Sequence, residues 1–585
     1  MKLRTKWTVT GMILTVLLFT FTTWAGDLTP PAAPGSTMHT LTEIYDASSA
    51  AEPRIPIPGG SSTFTISTSG SYVLQTNMTQ TLTISADNVT VDLMGFTIDP
   101  NTGNAINIPA NQKNLVIRNG ILTGASMGLD ASLLRDSNSR FEDLTVSDCS
   151  LNGLYVGSVC KVENVLVQNC DICGIRSSSA GQLEVYNCRI INTTGNGLIT
   201  YQGSRIVDNV IEGSGDGGLV LFGTNSYIAG NIVKGNADNY DINDGNQLNL
   251  LLCEIPETLD WPCSVKLAGT LSTTLTDTNG ITVAANDITI DMAGHTLIGP
   301  GADSGHGIYQ DVAYRNLHVF NGKSVHWEGL NQGGIFTGGK AAILSNLQAA
   351  TNRYGIYANY STTISGCTVS DNGDDGIHAN YGCTISSCTA YNNGDNGIYA
   401  STCNTISSCT AYNNDNIGIH AFSSSTISGC TAYGNDLDGI KATHGCIISS
   451  CTAGSNGDNG IFAYHGCTVT DCVAKDNTGN GIELFSEGQV TRCIANNNDT
   501  GIYVGSSDNR IESNNVNDNN NLGIDVNSAG NFIVRNTCSD NTTLNWDVAA
   551  GNACLVVQAT TCAAINGDSG GTTLGSTDPN ANFTY

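Results

Sequence analysis

The sequence predicts an all-β solenoid of stacked coils, each about 21 residues long, with strands paired in parallel to their equivalents one coil along. Three rows of residues carry that prediction. Seven cysteines, Cys367, Cys388, Cys409, Cys430, Cys451, Cys472 and Cys493, recur at an interval of 21 residues. A glycine–isoleucine pair recurs at the same interval, from Gly355-Ile356 through Gly397-Ile398 to Gly481-Ile482. So does an asparagine, from Asn372 through Asn435 to Asn519. A fixed period near 20 that preserves strand-forming residues marks a repeat in which each unit is one coil.

Within a coil the alternation of a strand is legible. In Gly376-Ile377-His378-Ala379-Asn380, Ile and Ala face one way and His and Asn the other. The inward set is nearly constant, whereas the outward set changes: Tyr357, His378, Tyr399, His420, Lys441, Phe462, Glu483. The Asn row falls where the chain bends, and side-chain amides stacked there hydrogen-bond from coil to coil. The same period runs more loosely through the first half, as in Gly153-Leu154, Gly174-Ile175 and Gly197-Leu198. A larger duplication lies above it. Leu82–Ile98 matches Ile281–Leu297, aligning Asp92 with Asp291 and Gly95 with Gly294.

The expected organisation is therefore a signal peptide at 1–25, a Pro-rich segment at 26–59, and a first module at 60–247. A second module with regular coils follows at 248–545, and a cap or tail at 546–585. Lys2, Arg4 and Lys6 precede an apolar run from Met12 to Phe21, and Thr23-Trp24-Ala25 offers a cleavage site. An uncleaved anchor is the competing reading, but the run is short for a membrane span.

The formal charge is −28, and loss of a leader holding three basic residues makes it more negative. That balance argues against nucleic acid as a partner. After signal removal no segment remains to span a membrane, so the expected location is secreted or at a bacterial cell surface. Cysteines number 21, which in an exported chain normally means a disulfide framework. Their period reads instead as buried free thiols acting as small apolar spacers. Outside the row, Cys253 with Cys263 and Cys554 with Cys562 are the pairs expected to bridge.

The NGI-type repeats (Asn396-Gly397-Ile398, Asn459-Gly460-Ile461, Asn480-Gly481-Ile482) and the entry segment Ala86–Ile98 carry a resemblance. With them the chain resembles the right-handed parallel β-helix proteins of the pectate-lyase-like superfamily, over roughly 60–245 and 265–545. It is similar in particular to a group of exported bacterial β-helix repeat proteins. The carriers there are Glu52-Pro53-Arg54-Ile55-Pro56-Ile57 and the C-terminal Gly575–Thr584 stretch. The resemblance implies a right-handed fold and, in many members, polysaccharide chemistry. It brings no catalytic assignment.

Chemistry must be sought on the outside. Asp374-Asp375-Gly376-Ile377-His378 and Gly305-His306-Gly307 resemble polygalacturonase elements, but that family's other elements have no counterpart and the order is reversed. A lyase-like site needs a base beside carboxylates. The candidates are Asp375, His378, His420, Asp438 and Lys441, with Lys441 one coil from His420 in the same row. Tyr357, Tyr381, Tyr399, Phe462 and His465 are candidates for substrate binding, since exposed rings stack on apolar sugar faces. The competing reading is an aromatic ladder that merely covers the wall. No cofactor and no metal-ligand set is expected; Asp374, Asp395 and Asp458 recur at a turn, which leaves Ca2+ as the alternative. The expected function is recognition of a polysaccharide or cell-surface glycan along the aromatic face. Whether the chain is an enzyme stays open: a lyase, glycosidase or epimerase on one side, a non-catalytic structural or adhesive surface protein on the other.

Overall fold

The computed structural model describes residues 54–585 apart from 179–181, 244–245, 331, 559–564, 568–577 and 585. The expected leader, most of the Pro-rich segment and Cys562 lie outside these residues. Every named element is a strand. The strands wind into a right-handed parallel β-solenoid.

One regular coil shows how the sequence builds it. Ile377–Tyr381 lies in what we term the third wall, Thr384–Ser386 in the first and Thr389–Tyr391 in the second. Each strand pairs in parallel with its equivalent 21 residues on: Ile377 with Ile398, Thr384 with Thr405, Thr389 with Thr410. The corners need a left-handed backbone, and short polar residues supply it: Ser387 at φ 54, Asn392 at φ 54, Ser408 at φ 53 and Asn413 at φ 52. Asn, Asp and Ser tolerate that region because their side chains bond locally to the backbone. The first and second walls form one sheet of 41 strands, joined where longer strands such as Ile343–Ala350 run through their shared corner.

The interior is narrow, and small residues fill it. Ile385, Cys388, Ala390, Ile398 and Ala400 are fully or almost fully buried, and their equivalents repeat in the neighbouring coils. Among them runs a file of buried asparagines. Asn414 Oδ1 accepts from the Asn393 backbone N–H at 3.1 Å and from Asn393 Nδ2 at 2.9 Å. Its own Nδ2 donates to Ala390 O at 3.3 Å and to Asn435 Oδ1 at 2.8 Å. The same contacts continue from Asn352 to Asn541, so each amide finds the partners that burial requires. This file explains the glycine row. A Cβ on Gly418 would lie 2.6 Å from Asn435 Nδ2 and 2.6 Å from Gly439 O.

The seven cysteines of the row are buried free thiols. Each sits at the corner between first and second walls and donates inward, as Cys388 Sγ does to Ser386 O at 3.3 Å. Cys409 and Cys451 are pushed up from the ordinary thiol range by the thiols on either side and by burial. The expected Cys253–Cys263 bridge is absent, and both residues are free. The reason is register. Asn249 pairs with Ser264 and Leu252 with Leu267, so the two cysteines fall at opposite ends of the paired strands. Five residues of strand separate them, roughly 16 Å, well beyond the span of a disulfide. Cys562, the expected partner of Cys554, lies outside the described residues.

The duplication does not divide the solenoid into separate bodies: Pro56–Tyr585 form one compact unit. The seam appears instead as a break in the third wall alone. Nine strands run from Phe64–Ile66 to Asp238–Ile242, and fifteen from Glu257–Leu259 onward. At the far end Asn582–Thr584 pairs with Val556–Gln558, and Asn582 Oδ1 accepts from Asn536 at 2.9 Å, extending an asparagine file.

Two outcomes test this account. Asn435→Ala strips an acceptor from two buried donors, and we expect a loss of about 1–3 kcal/mol in urea unfolding, with Gly418→Ala at least as damaging through its clash. Alkylation of the native chain followed by peptide mass mapping should label the exposed Cys403 and leave the seven-thiol row unlabelled until the chain is unfolded.

Candidate functional site

Strand pairing in register sets equivalent side chains one above another at about 4.8 Å, and the outer side of the third wall shows the result. Tyr309, Phe336, Tyr357, His378, Tyr399, His420, Lys441, Phe462 and Glu483 occupy one row. The first five rings stack. Centroids lie 5.3 Å apart for Tyr309–Phe336, 5.0 Å for Phe336–Tyr357, 4.5 Å for Tyr357–His378 and 4.7 Å for His378–Tyr399. The interplanar angle is only 6° between Tyr357 and His378. His420 then turns edge-on to Tyr399 at 86°, and the stack ends. Beyond it Lys441 Nζ lies 5.0 Å from the centre of the Phe462 ring. Ring faces are thus turned toward one another, and the wall offers solvent their edges, hydroxyls and ring nitrogens.

A second row runs beside the first, on the turn three residues earlier in each coil. Asp375 Oδ2 bonds to His378 Nδ1 at 2.7 Å, while its Oδ1 accepts from the Asn396 N–H at 3.1 Å and from Asn396 Nδ2 at 2.8 Å. Three coils on, the pattern recurs: Asp438 Oδ2 lies 3.7 Å from Lys441 Nζ, and Oδ1 accepts from Asn459 Nδ2 at 3.0 Å. Two carboxylate–base pairs therefore share one face, roughly 14 Å apart at the strand spacing. Burial raises the pKa of Asp438, and likewise that of Asp395. Burial, then the adjacent Lys441, lowers His420 to about 4, so its imidazole is neutral at physiological pH. Tyr354 is pushed up to about 12 by burial and by Asp374 and Asp375.

One carboxylate oxygen each of Asp374, Asp375 and Asp395 lies within 4.8 Å of the others. Arg353 holds Asp374 at 2.7 Å and Asn416 holds Asp395 at 2.5 Å, so protein donors already answer part of that charge.

Of the residues singled out from sequence, Tyr357, Asp375, His378, Tyr399 and His420 come together on one stretch, and Asp438, Lys441 and Phe462 on the next. Tyr381 and His465 stand apart, at the far margin of the third wall. Tyr381 stacks on Tyr360 at 5.5 Å, and His465 Nδ1 bonds Ser486 Oγ at 2.8 Å. Residues that sequence reasoning missed extend the site: Tyr309 and Phe336 continue the ring row, and Arg353 and Tyr354 flank the aspartates. Tyr309 lies 27 residues before Phe336, which hides it from a strict 21-residue count, whereas Phe336 follows Gly334-Ile335 and stands 21 residues before Tyr357, so the period could have found it. His306, noted from sequence as part of a Gly-His-Gly element, also joins the ring row, stacking on Tyr309 at 5.2 Å.

Residues 81–238, 274–403 and 354–494 match the family described as Right handed beta helix region. The chain belongs to that family. No curated protein matches this β-helix chain. Among solved structures it is similar to the mannuronan C-5 epimerase AlgE6 A-module of Azotobacter vinelandii, at 12% identity and a TM-score of 0.23, covering 68% of this chain and 90% of that one. It is similar to the Dettilon tailspike protein gp208 at 15% identity and a TM-score of 0.31, covering 58% and 62%. It is also similar to pectate lyase Pel9A at 18% identity and a TM-score of 0.23, covering 46% and 71%. At these scores the likenesses carry no argument about function. No helix among the described residues is long and apolar enough to cross a membrane.

A half-buried His420 and a buried His306 give the β-helix a signature in pH. His420 and His306 are lowered from 6.5 to about 4, His306 through burial. A depressed histidine adds stability that is complete above its unfolded pKa and is lost as pH falls toward the folded one. The thermal midpoint should therefore drop between pH 6.5 and 4, and His420→Gln should flatten part of that drop.

Proposed function

We propose that the third-wall face from Tyr309 to Glu483 recognises a polysaccharide lying along the solenoid axis, and that the protein acts outside the cytoplasm. The observation that carries the reading is the in-register outward row with its two carboxylate–base pairs, Asp375–His378 and Asp438–Lys441. A rigid row repeating at strand spacing suits an extended polymer with a repeat of its own. Carboxylates and amides accept from and donate to sugar hydroxyls, while Arg353, His378 and Lys441 supply partners for an acidic group. Export rests on the basic and apolar leader-like start of the sequence. The thiols fit it too, because those of the row are buried and shielded from oxidants.

In its enzymatic form the reading assigns proton abstraction beside a sugar carboxylate to the neutral His420 or to Lys441, with the aspartate rows around them. The mutual stacking of the rings favours a second reading, a structural or adhesive surface protein without turnover, because stacked faces are closed to sugar rings.

The test is a broad glycan panel probed with the full chain for binding, and separately for new chain ends or inverted uronate centres. We expect binding, weakened about tenfold by Lys441→Ala or Tyr399→Ala, the loss of roughly one good polar or ring contact. Binding without any change in the glycan removes the enzymatic form. No binding to any glycan overturns the carbohydrate reading and leaves the structural one.

A further inference from the structure

The break in the third wall opens a cleft. Asp238–Ile242 ends one sheet and Glu257–Leu259 begins the next, while the neighbouring wall runs on through Gln247–Leu252 paired with Ser264–Leu267. Pro256, just before the second sheet begins, has no N–H to offer a ladder. The opening has a volume of about 630 Å³ and is lined from both sides.

Side chains replace the missing strand pairing. Glu254 Oε1 accepts from the Gly235 N–H at 2.8 Å and from Asn239 Nδ2 at 2.7 Å, and the same Nδ2 lies 3.2 Å from Glu257 Oε2. Tyr240 and Trp261, ring centres 6.3 Å apart, are buried beneath. Trp261 is 4% exposed, and its indole Nε1 meets no acceptor. A buried donor of this kind calls for a partner, and an oxygen reaching the cleft floor would supply one.

The charge of the lining narrows the ligand. Asp238, Glu254, Glu257, Asp260 and Asp277 all contribute, and no Lys, Arg or His does. An anionic sugar is turned away by such a surface. A single metal ion is a poor match as well, since the three-carboxylate group found among the described residues is Asp374–Asp375–Asp395 and not this one. What remains is a surface of many acceptors interleaved with amides and hydroxyls from Asn236, Asn279, Thr258 and Thr282. Burial also pushes Glu257 up to about 7, which gives it a share of the protonated form able to donate near neutral pH.

We infer that the seam cleft is a saccharide site separate from the third-wall face, built for an uncharged, hydroxyl-rich sugar and closed to uronic acids. It does not depend on the face reading, and the two can fail independently. The experiment titrates the full chain by calorimetry with gluco-, manno-, galacto- and xylo-oligosaccharides, with oligouronates, and with spermidine. Asp260 and Asp277 are exposed, and Asn keeps their shape and tolerates the φ of 53 at position 277, so Asp260→Asn with Asp277→Asn should leave the melting curve close to that of the parent chain. The expected result is binding of at least one neutral oligosaccharide, weakened about tenfold by that double variant and unchanged by Tyr399→Ala on the face. Trp261→Phe, which keeps the ring and removes the N–H, should weaken it too. Binding of spermidine alone would reduce the cleft to an acidic patch and overturn the inference. So would preference for oligouronates, loss of binding in Tyr399→Ala, or a folded chain that binds no neutral sugar.

Discussion

The side-chain amide of Asn414 has one oxygen and one nitrogen to satisfy in a place water does not reach. Both are satisfied along the axis, by Asn393, Ala390 and Asn435. A buried amide left without partners costs more than a made hydrogen bond contributes, so the file is stable only when it is continuous. Continuity in turn demands the same residue at the same height in every coil. That demand sets the period, excludes a Cβ from the neighbouring glycine, and keeps the three walls in register. The thiols and alanines then fill what narrow space is left.

Register has an outward consequence as well. Side chains on the solvent side inherit the spacing set inside, and at that spacing planar rings lie against each other. Tyr391, Tyr412 and Tyr433 show this on the second wall, with centroids 5.0 Å apart and angles of 5° and 2°. The third wall behaves likewise from Tyr309 to Tyr399. That monotony ends at His420, which turns its ring, at Lys441, which replaces a ring, and beside the aspartates of the adjoining turn, and the proposed site lies there.

The inside of this protein was legible in its sequence, because packing in a solenoid repeats and repetition is visible as a period. The parallel walls, the buried Asn372–Asn519 row and the inward, unbridged cysteines all follow from spacing. The outside was legible only as a set of positions. That Asp375 meets His378 follows from three residues of separation, but that Asp375 also holds Asn396 needs the coil above. The seam was visible as the boundary between the two sequence copies at 247/248. Its register was not, since a single short coil moves Cys253 and Cys263 apart along the strands. Glu257 gave no signal at all, because burial beside a broken sheet is a property of the assembled walls.

A cross-section that is the same from coil to coil makes length an independent variable. One unit can be inserted or deleted by recombination between near-identical repeats, and neither the core nor the walls on either side need to adapt. The reach of the outer face is thus open to change by whole increments, while its chemistry is changed one outward residue at a time. Evolution can adjust extent and composition separately in such a chain, a freedom that a domain with a closed core does not have.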